Sequence, residues 1–449
     1  MDSQTLFART PPVKLFFLAS IPGAVGMLAS ALYQLIDGIF VGQILGETAF
    51  AALNFAMPFV IINFALADLV GVGSAVQISI SLGRGEERRA NDIFTCACLL
   101  IVATGAGVGA VLFAGAPSLI SLMGAEGEFA RQAVEYLRVY ALCSPVTTIV
   151  FAMDNYLRIC GKIRGSMVLN VFMSVMSAVL EFVFLFVFRW GIWGAALATC
   201  TGMFLCVCIA LASFARGGMQ LRFCRPRFEA RVIRQIVSCG SPNFLNNIAG
   251  RITSILMNTL LLRLGGEAAV SVYGILMYTE SFVQPLLYGM CDSLQPAVGF
   301  NWGAGKFSRV RAIERCCYAA SAVISVSAAA AIFLLPEQIA ALFMPEGDSS
   351  FRSMSVGALR LFSLTFLTRW FSFASQSWML AIEKPIPATA ISLSTAFVCP
   401  VLLVAALWPL GLTGLWLNFA GTSLLVAALS VMILLRFRDQ LSQPDQGDA

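Results

Sequence analysis

The chain has 449 residues, of which 59% are hydrophobic and 12% charged, and its mean hydropathy is +0.84. Soluble proteins carry about 25% charged residues, and a globule this apolar would expose large sticky patches to water. Most of the chain must be solvated by lipid, which excludes a soluble enzyme, a nucleic-acid-binding domain and a disordered regulator.

Residues 1–12 show no charged-then-apolar leader with a cleavage site, so the first apolar run reads as a permanent span. In chain order, apolar runs fall near 14–41, 51–82, 93–116, 133–157, 166–188 and 191–214. A second set falls near 235–262, 269–301, 316–344, 357–381, 388–408 and 411–435. We number these spans 1 to 12. A spanning helix needs ~20 apolar residues, so the longer runs must tilt or project beyond the bilayer.

The basic residues test this reading. With an N-in start, the cytoplasmic segments hold Arg9 and Lys14; Arg84, Arg88 and Arg89; Arg158, Lys162 and Arg164. They also hold the six arginines from Arg216 to Arg234, then Lys306 to Arg315, Lys384, Arg436 and Arg438. The outer segments hold only Arg131, Arg189, Arg263 and Arg352. That asymmetry is the positive-inside pattern, and dropping one span would invert every later loop. The expectation is an all-α integral membrane protein of the cytoplasmic (inner) membrane, multi-pass, with both termini cytoplasmic.

The Arg216–Arg234 connection divides the chain into an N-lobe (1–215), a basic cytoplasmic linker (216–234) and a C-lobe (235–449). Landmarks repeat across that division. Leu45-Gly46 recurs as Leu264-Gly265, Gly83-Arg84-Gly85 as Gly303-Ala304-Gly305, and Gly191 to Gly194 as Gly411 to Gly414. The offset is about 220 residues each time, the mark of an internal repeat. Six spans per repeat give two pseudo-symmetric lobes of the same orientation around a central cleft, which is transporter architecture. The 13 Cys lie in apolar runs or at helix ends with no CxxC pair, and the chain has no His. A mixed zinc site is thereby excluded, as are the usual catalytic sets. No enzyme activity and no cofactor are expected.

The chain resembles the multidrug and toxic compound extrusion (MATE) family over nearly its whole length. The resemblance is carried by Asp37 to Gly42 with Leu45-Gly46, by Leu157 to Lys162, and by Gly191 to Thr199 (GIWGAALAT). Its most specific part is Gln295-Pro296 with Gly299 to Lys306 (GFNWGAGK). The resemblance implies export of small organic cations in exchange for H⁺ or Na⁺; membrane lipids as partners, no nucleic acid and a monomer are expected beside it. It also implies an N-lobe coupling site at Asp37, Ser177, Glu181 and Thr199. Ser177 stands where the family has Asn, and Glu181 where it has Asp. These changes weaken a possible Na⁺ cage (Asp37, Glu181, Thr199) more than a proton site. The acids that some members carry on spans 7 and 10 have no counterpart, since Gly250, Arg251 and Arg369 stand there.

Depth places the same residues together independently. Glu181 lies ~13 Å, Thr199 ~12 Å and Asp37 ~10 Å below the outer ends of three different helices. Ser177, one turn deeper on Glu181's face, can join them. Tyr136, ~8 Å in on span 4, can donate a hydrogen bond there. Intramembrane acids are functional by default, and two carboxylates in one dry pocket titrate as a coupled pair. Asp154 lies near the cytoplasmic end of span 4, outside this layer, while Asp68 and Asp292 have no assigned role. For substrate, Tyr33, Gln34, Phe55, Met57, Phe59, Phe151 and Met153 offer an adaptable aromatic and thioether surface suited to organic cations. In the C-lobe, Arg251, Glu280 and Arg369 share a depth and should form an ion-pair cluster, with Arg251 and Glu280 meeting directly. The alternative reading is a lipid-linked oligosaccharide flippase of the same general architecture, for which the C-lobe arginines would bind pyrophosphate.

Overall fold

The computed structural model describes residues 3–343, 349–441 and 444–445. Among the described residues the chain is helical, without strands. Spans 1 to 6 are continuous: Pro12–Leu45, Thr48–Gly83, Glu87–Leu122, Gly127–Ile159, Ile163–Val187 and Ile192–Ala215. Spans 7 and 8 form one 74-residue helical stretch, Ala230–Gly303, that folds back at Gly266. Span 9 is Phe307–Leu334. Span 10 runs as Ser349–Ser363 and Phe366–Ala381, span 11 as Pro385–Leu393 through Cys399–Leu407, and span 12 as Gly411–Arg436. The twelve spans expected are all present. The span 9 run was expected at 316–344. It begins earlier and stops at Leu334, because Pro336 cannot continue the helix and opens a separate short one, Pro336–Phe343.

Two compact units emerge. Unit 1 takes the chain up to Thr10 and Ile21–Gly240; unit 2 takes Pro11–Ser20 and the chain from Ser241 onward. The linker therefore belongs to unit 1. Its backbone is pinned to the start of span 3, where Arg222 N donates to Asn91 Oδ1 (2.8 Å) and Cys224 N to Thr95 Oγ1 (3.1 Å). Leu221 is fully buried beside these bonds. The repeat is visible as geometry, with left-handed glycines at 46, 85 and 191 in unit 1 and at 266, 305 and 411 in unit 2. The structural partner of Gly46 is Gly266 rather than Gly265, which gives all three pairs one spacing.

The core of unit 1 packs spans 2, 4 and 6 through Ala52, Leu53, Ala56, Leu137, Ile192 and Ala195. That of unit 2 gathers Leu261, Val272, Leu276, Leu359, Phe362 and Trp416. Lipid supplies no hydrophobic force between helices, so close backbone approach must hold them together. At one crossing in unit 1, a Cβ on Gly73 would lie 1.9 Å from the Ile236 carbonyl oxygen. A Cβ on Gly240 would lie 1.8 Å from that of Leu69. Gly73→Ala should force these helices apart and cost about 1–3 kcal/mol, as overpacking does. The measurement is melting of the purified protein in detergent, with Gly107→Ala, which meets open space, as the neutral control.

Candidate cation-coupling site

Spans 1 and 5 each carry one carboxyl and each widens into a π-helical turn just past it. The π turn follows Asp37 at Val41–Leu45 and Glu181 at Val183–Val187, and the two turns pack together. Such turns recur at functional sites. Here they end the two helices side by side, with their acids adjacent.

Asp37 is 6% exposed and Glu181 fully buried, and their carboxyls lie against each other. Span 1 adds Tyr33, one turn before Asp37 on the same face. Its hydroxyl donates to Glu181 Oε2 at 3.4 Å and lies 2.6 Å from Thr199 Oγ1 of span 6. Span 4 closes the group with Tyr136 and Tyr140, whose rings pack with centroids 5.1 Å apart. Tyr140 lies beside Thr199. Glu181 Oε1 is buried without a donor. Among the described residues no Lys or Arg pairs with either acid. Two carboxyls in contact, ringed only by neutral hydroxyls, cannot both hold a negative charge unless a cation joins them. Chemically, such a pair can accommodate one positive charge, as a proton or a cation.

Asp37, Glu181 and Thr199 thus lie together, with Tyr136 beside them, its hydroxyl buried without a hydrogen-bond partner among the described residues. Ser177 does not join them: its hydroxyl is buried without a partner, pressed against span 6 where a Cβ on Gly202 would come within 2.1 Å. The bare glycine draws that side chain toward the helix contact. Tyr33, read from sequence as a substrate group, lies against Glu181 and Thr199. Tyr140 was missed, though its position one turn after Tyr136 was a readable signal. Gln34 is exposed, one step round the helix from Tyr33. Phe55, Met57 and Phe59 are half-buried against the unit 1 core, and Phe151 packs edge-on to Phe64 (5.4 Å). Met153 is fully buried core and offers no surface to a substrate. Asp154 is held in a separate buried set, paired with Arg158 (2.5 Å) and accepting from Asn170 Nδ2 (2.7 Å) and the Ser166 hydroxyl. Asp68 and Asp292 are half-buried on spans 2 and 8.

In unit 2 the pairing differs from expectation. Glu280 meets Arg369 at 2.5 Å, whereas Arg251 is exposed and forms no ion pair among the described residues. Common depth placed all three at one level, but helix rotation turned Arg251 away.

An all-helical, two-unit membrane bundle of this kind has the fold of a multispan transporter. The chain matches the MatE family over residues 22–183 and 242–405, and it belongs to that family. It is 24% identical over 442 residues to the multidrug export protein MepA of Staphylococcus aureus, covering 97% of this chain and 96% of that one. It is 25% identical over 426 residues to MepA of Staphylococcus saprophyticus, with 93% of each chain covered. Among solved structures it superposes on an outward-facing multidrug resistance MATE family transporter with TM-score 0.92, 22% identity and 99% of each chain covered. It also superposes on a MOP superfamily transporter from Pyrococcus furiosus whose binding pocket has reverse polarity (TM-score 0.91, 22% identity, 99% of each chain).

Glu280 is mostly buried and Arg369 partly so, so breaking the pair should cost less than the ~3–5 kcal/mol of a fully buried one. Glu280→Gln and Arg369→Gln should each lower the melting temperature, and the double substitution should recover part of the loss. Arg251→Gln should change it little. Additive losses in this cycle would show that the 2.5 Å contact carries no stability.

Proposed function

We propose that this protein is a secondary active exporter of small organic cations, driven by proton antiport at the Asp37/Glu181 site. The direct contact of two buried carboxyls without a basic neighbour is the observation that carries this reading. Such a pair binds one positive charge at a time, as a proton or as an organic cation drawn to it. Competition for the same negative charge is the simplest form of exchange. Proton entry from outside then promotes substrate release, and by linkage substrate binding expels a proton. The multidrug export activity in the names of the Staphylococcus relatives agrees with this reading.

Sodium would need several oxygens closing round it. The oxygens gathered there are the acids, Thr199 and the tyrosine hydroxyls, with Ser177 at the span 6 contact supplying a hydroxyl where an amide carbonyl would be the better ligand. A proton needs only the two carboxyls. The basic segments support a placement with both termini cytoplasmic, and we take the working unit to be a monomer moving between inward- and outward-open states. The flippase reading is not favoured, because Arg369 is spent on Glu280 and an oligosaccharide pyrophosphate would want it free.

Adding ethidium to purified protein in weakly buffered solution should acidify the medium, and Asp37→Asn should abolish that signal. Binding without proton release, but strongly altered by Na⁺ at fixed ionic strength, would overturn proton coupling. Asp37→Asn and Glu181→Gln should each abolish ethidium efflux from inverted vesicles under an imposed ΔpH while the protein folds normally. The double variant should be no worse than either, since residues acting as one unit are non-additive. Tyr33→Phe removes both hydroxyl contacts without touching the acids. It should slow efflux about tenfold, the equivalent of one net hydrogen bond of ~1.4 kcal/mol.

A further inference from the structure

Unit 2 holds a second buried carboxyl that neither the repeat nor the ion pair explains. Glu314, two turns into span 9, is 6% exposed, and its Oε2 has no hydrogen-bond partner. It heads a polar stripe along one face of that helix, Glu314, Cys317, Ser321 and Ser325, all of it buried. The spacing of three and then four residues keeps the stripe on one line. Successive groups stand one turn apart, ~5–6 Å, which is the gap a single bridging water fills. Ser325 Oγ, at the far end, is likewise buried without a partner. Desolvated hydroxyls and a desolvated acid along an apolar helix are costly unless water or protons use them.

Among the described residues no ion pair reaches Glu314. From span 10, Ser375 bonds the Tyr318 hydroxyl at 2.7 Å, and Arg369 is already tied to Glu280. Arg360, on the first half of span 10, lies over Phe333 at the other end of span 9. From span 8, Cys291 Sγ sits 3.5 Å from Cys317 Sγ, with the acidic Asp292 next in sequence. Glu337 lies on the short helix after span 9 and is exposed. Arg311 and Arg315, on span 9 itself, form no ion pair with Glu314 among the described residues. Thiols, a phenol and hydroxyls make a poor cage for a hard metal ion, but they tolerate a neutral carboxylic acid.

We propose that Glu314 is a proton-binding site of unit 2, with the Cys317–Ser321–Ser325 stripe as its hydrated track. Its part in the transport cycle, as a second proton exchanged alongside that of Asp37/Glu181, rests on the antiport reading. The site itself does not. The test is infrared titration of the full-length protein carrying Asp37→Asn and Glu181→Gln, which silences the first site. A protonated-carboxyl carbonyl band should remain, shift in D₂O and disappear with pH, and Glu314→Gln should remove it. Should the Gln variant fail to fold, Glu314→Asp must displace the band instead. Absence of any Glu314-dependent band overturns the proposal, as does a band that neither exchanges with D₂O nor titrates. Proton release on ethidium addition, counted in protein with the first site intact, separates the two readings. A smaller release with Glu314→Gln gives the second site its role in the cycle. No release even with Glu314 present, beside a titrating Glu314 band, removes the antiport reading and leaves the proton site standing.

Discussion

One constraint organises unit 1: two carboxyls, Asp37 and Glu181, touch in a place where water cannot screen them. Charge in such surroundings is expensive unless it is balanced at once. Every other group at the site is consistent with keeping that balance adjustable. Tyr33, Tyr136, Tyr140 and Thr199 offer hydroxyls, which can donate or accept without fixing a charge. A lysine or arginine in the same place would lock the acids as a permanent salt bridge. The Asp154–Arg158 pair, bonded in turn by Ser166 and Asn170, is such a lock within the same unit.

The backbone makes this contact possible. The π turns after Asp37 and Glu181 bring the ends of spans 1 and 5 together. Gly202 lets span 6 close onto Ser177 and so sets the distance at which Thr199 reaches Tyr33. The Gly73/Gly240 crossing does the same for span 2 and the start of span 7. Small residues at helix contacts substitute in lipid for the hydrophobic force that packs soluble helices, so the site's precision depends on glycines that touch no ligand.

The two units share turns without sharing chemistry. Left-handed glycines fall at matching places in both, yet the acid-bearing layer of unit 1 has no copy in unit 2. There Glu280 is neutralised by Arg369, and Glu314 lies buried without an ion pair among the described residues, close to the other end of a different helix. A repeat preserves the backbone because turns tolerate few residues. Buried polar groups are free to move wherever the packing leaves room for them.

Apolar run length, the placement of arginines and the glycine repeat determined the class and the twelve spans, because lipid permits only a few ways to satisfy a backbone, while the family was legible only through the motif resemblance at Gly191 to Thr199 and Gly299 to Lys306. Rise per residue also set the depth of Asp37, Glu181 and Thr199, which is a property of one helix at a time. What sequence could not determine was rotation about each helix axis. Depth alone grouped Arg251 with Glu280, and only the packed helices showed that Arg369 is the partner. For the same reason only the packed helices place Tyr33 against Glu181 and Thr199, Met153 in the core and Ser177 at a helix contact. Glu314 drew no notice in the sequence, standing among the arginines that open span 9. Its isolation exists only once spans 8, 9 and 10 close around it, since which face of a helix is buried depends on neighbours far away in the chain.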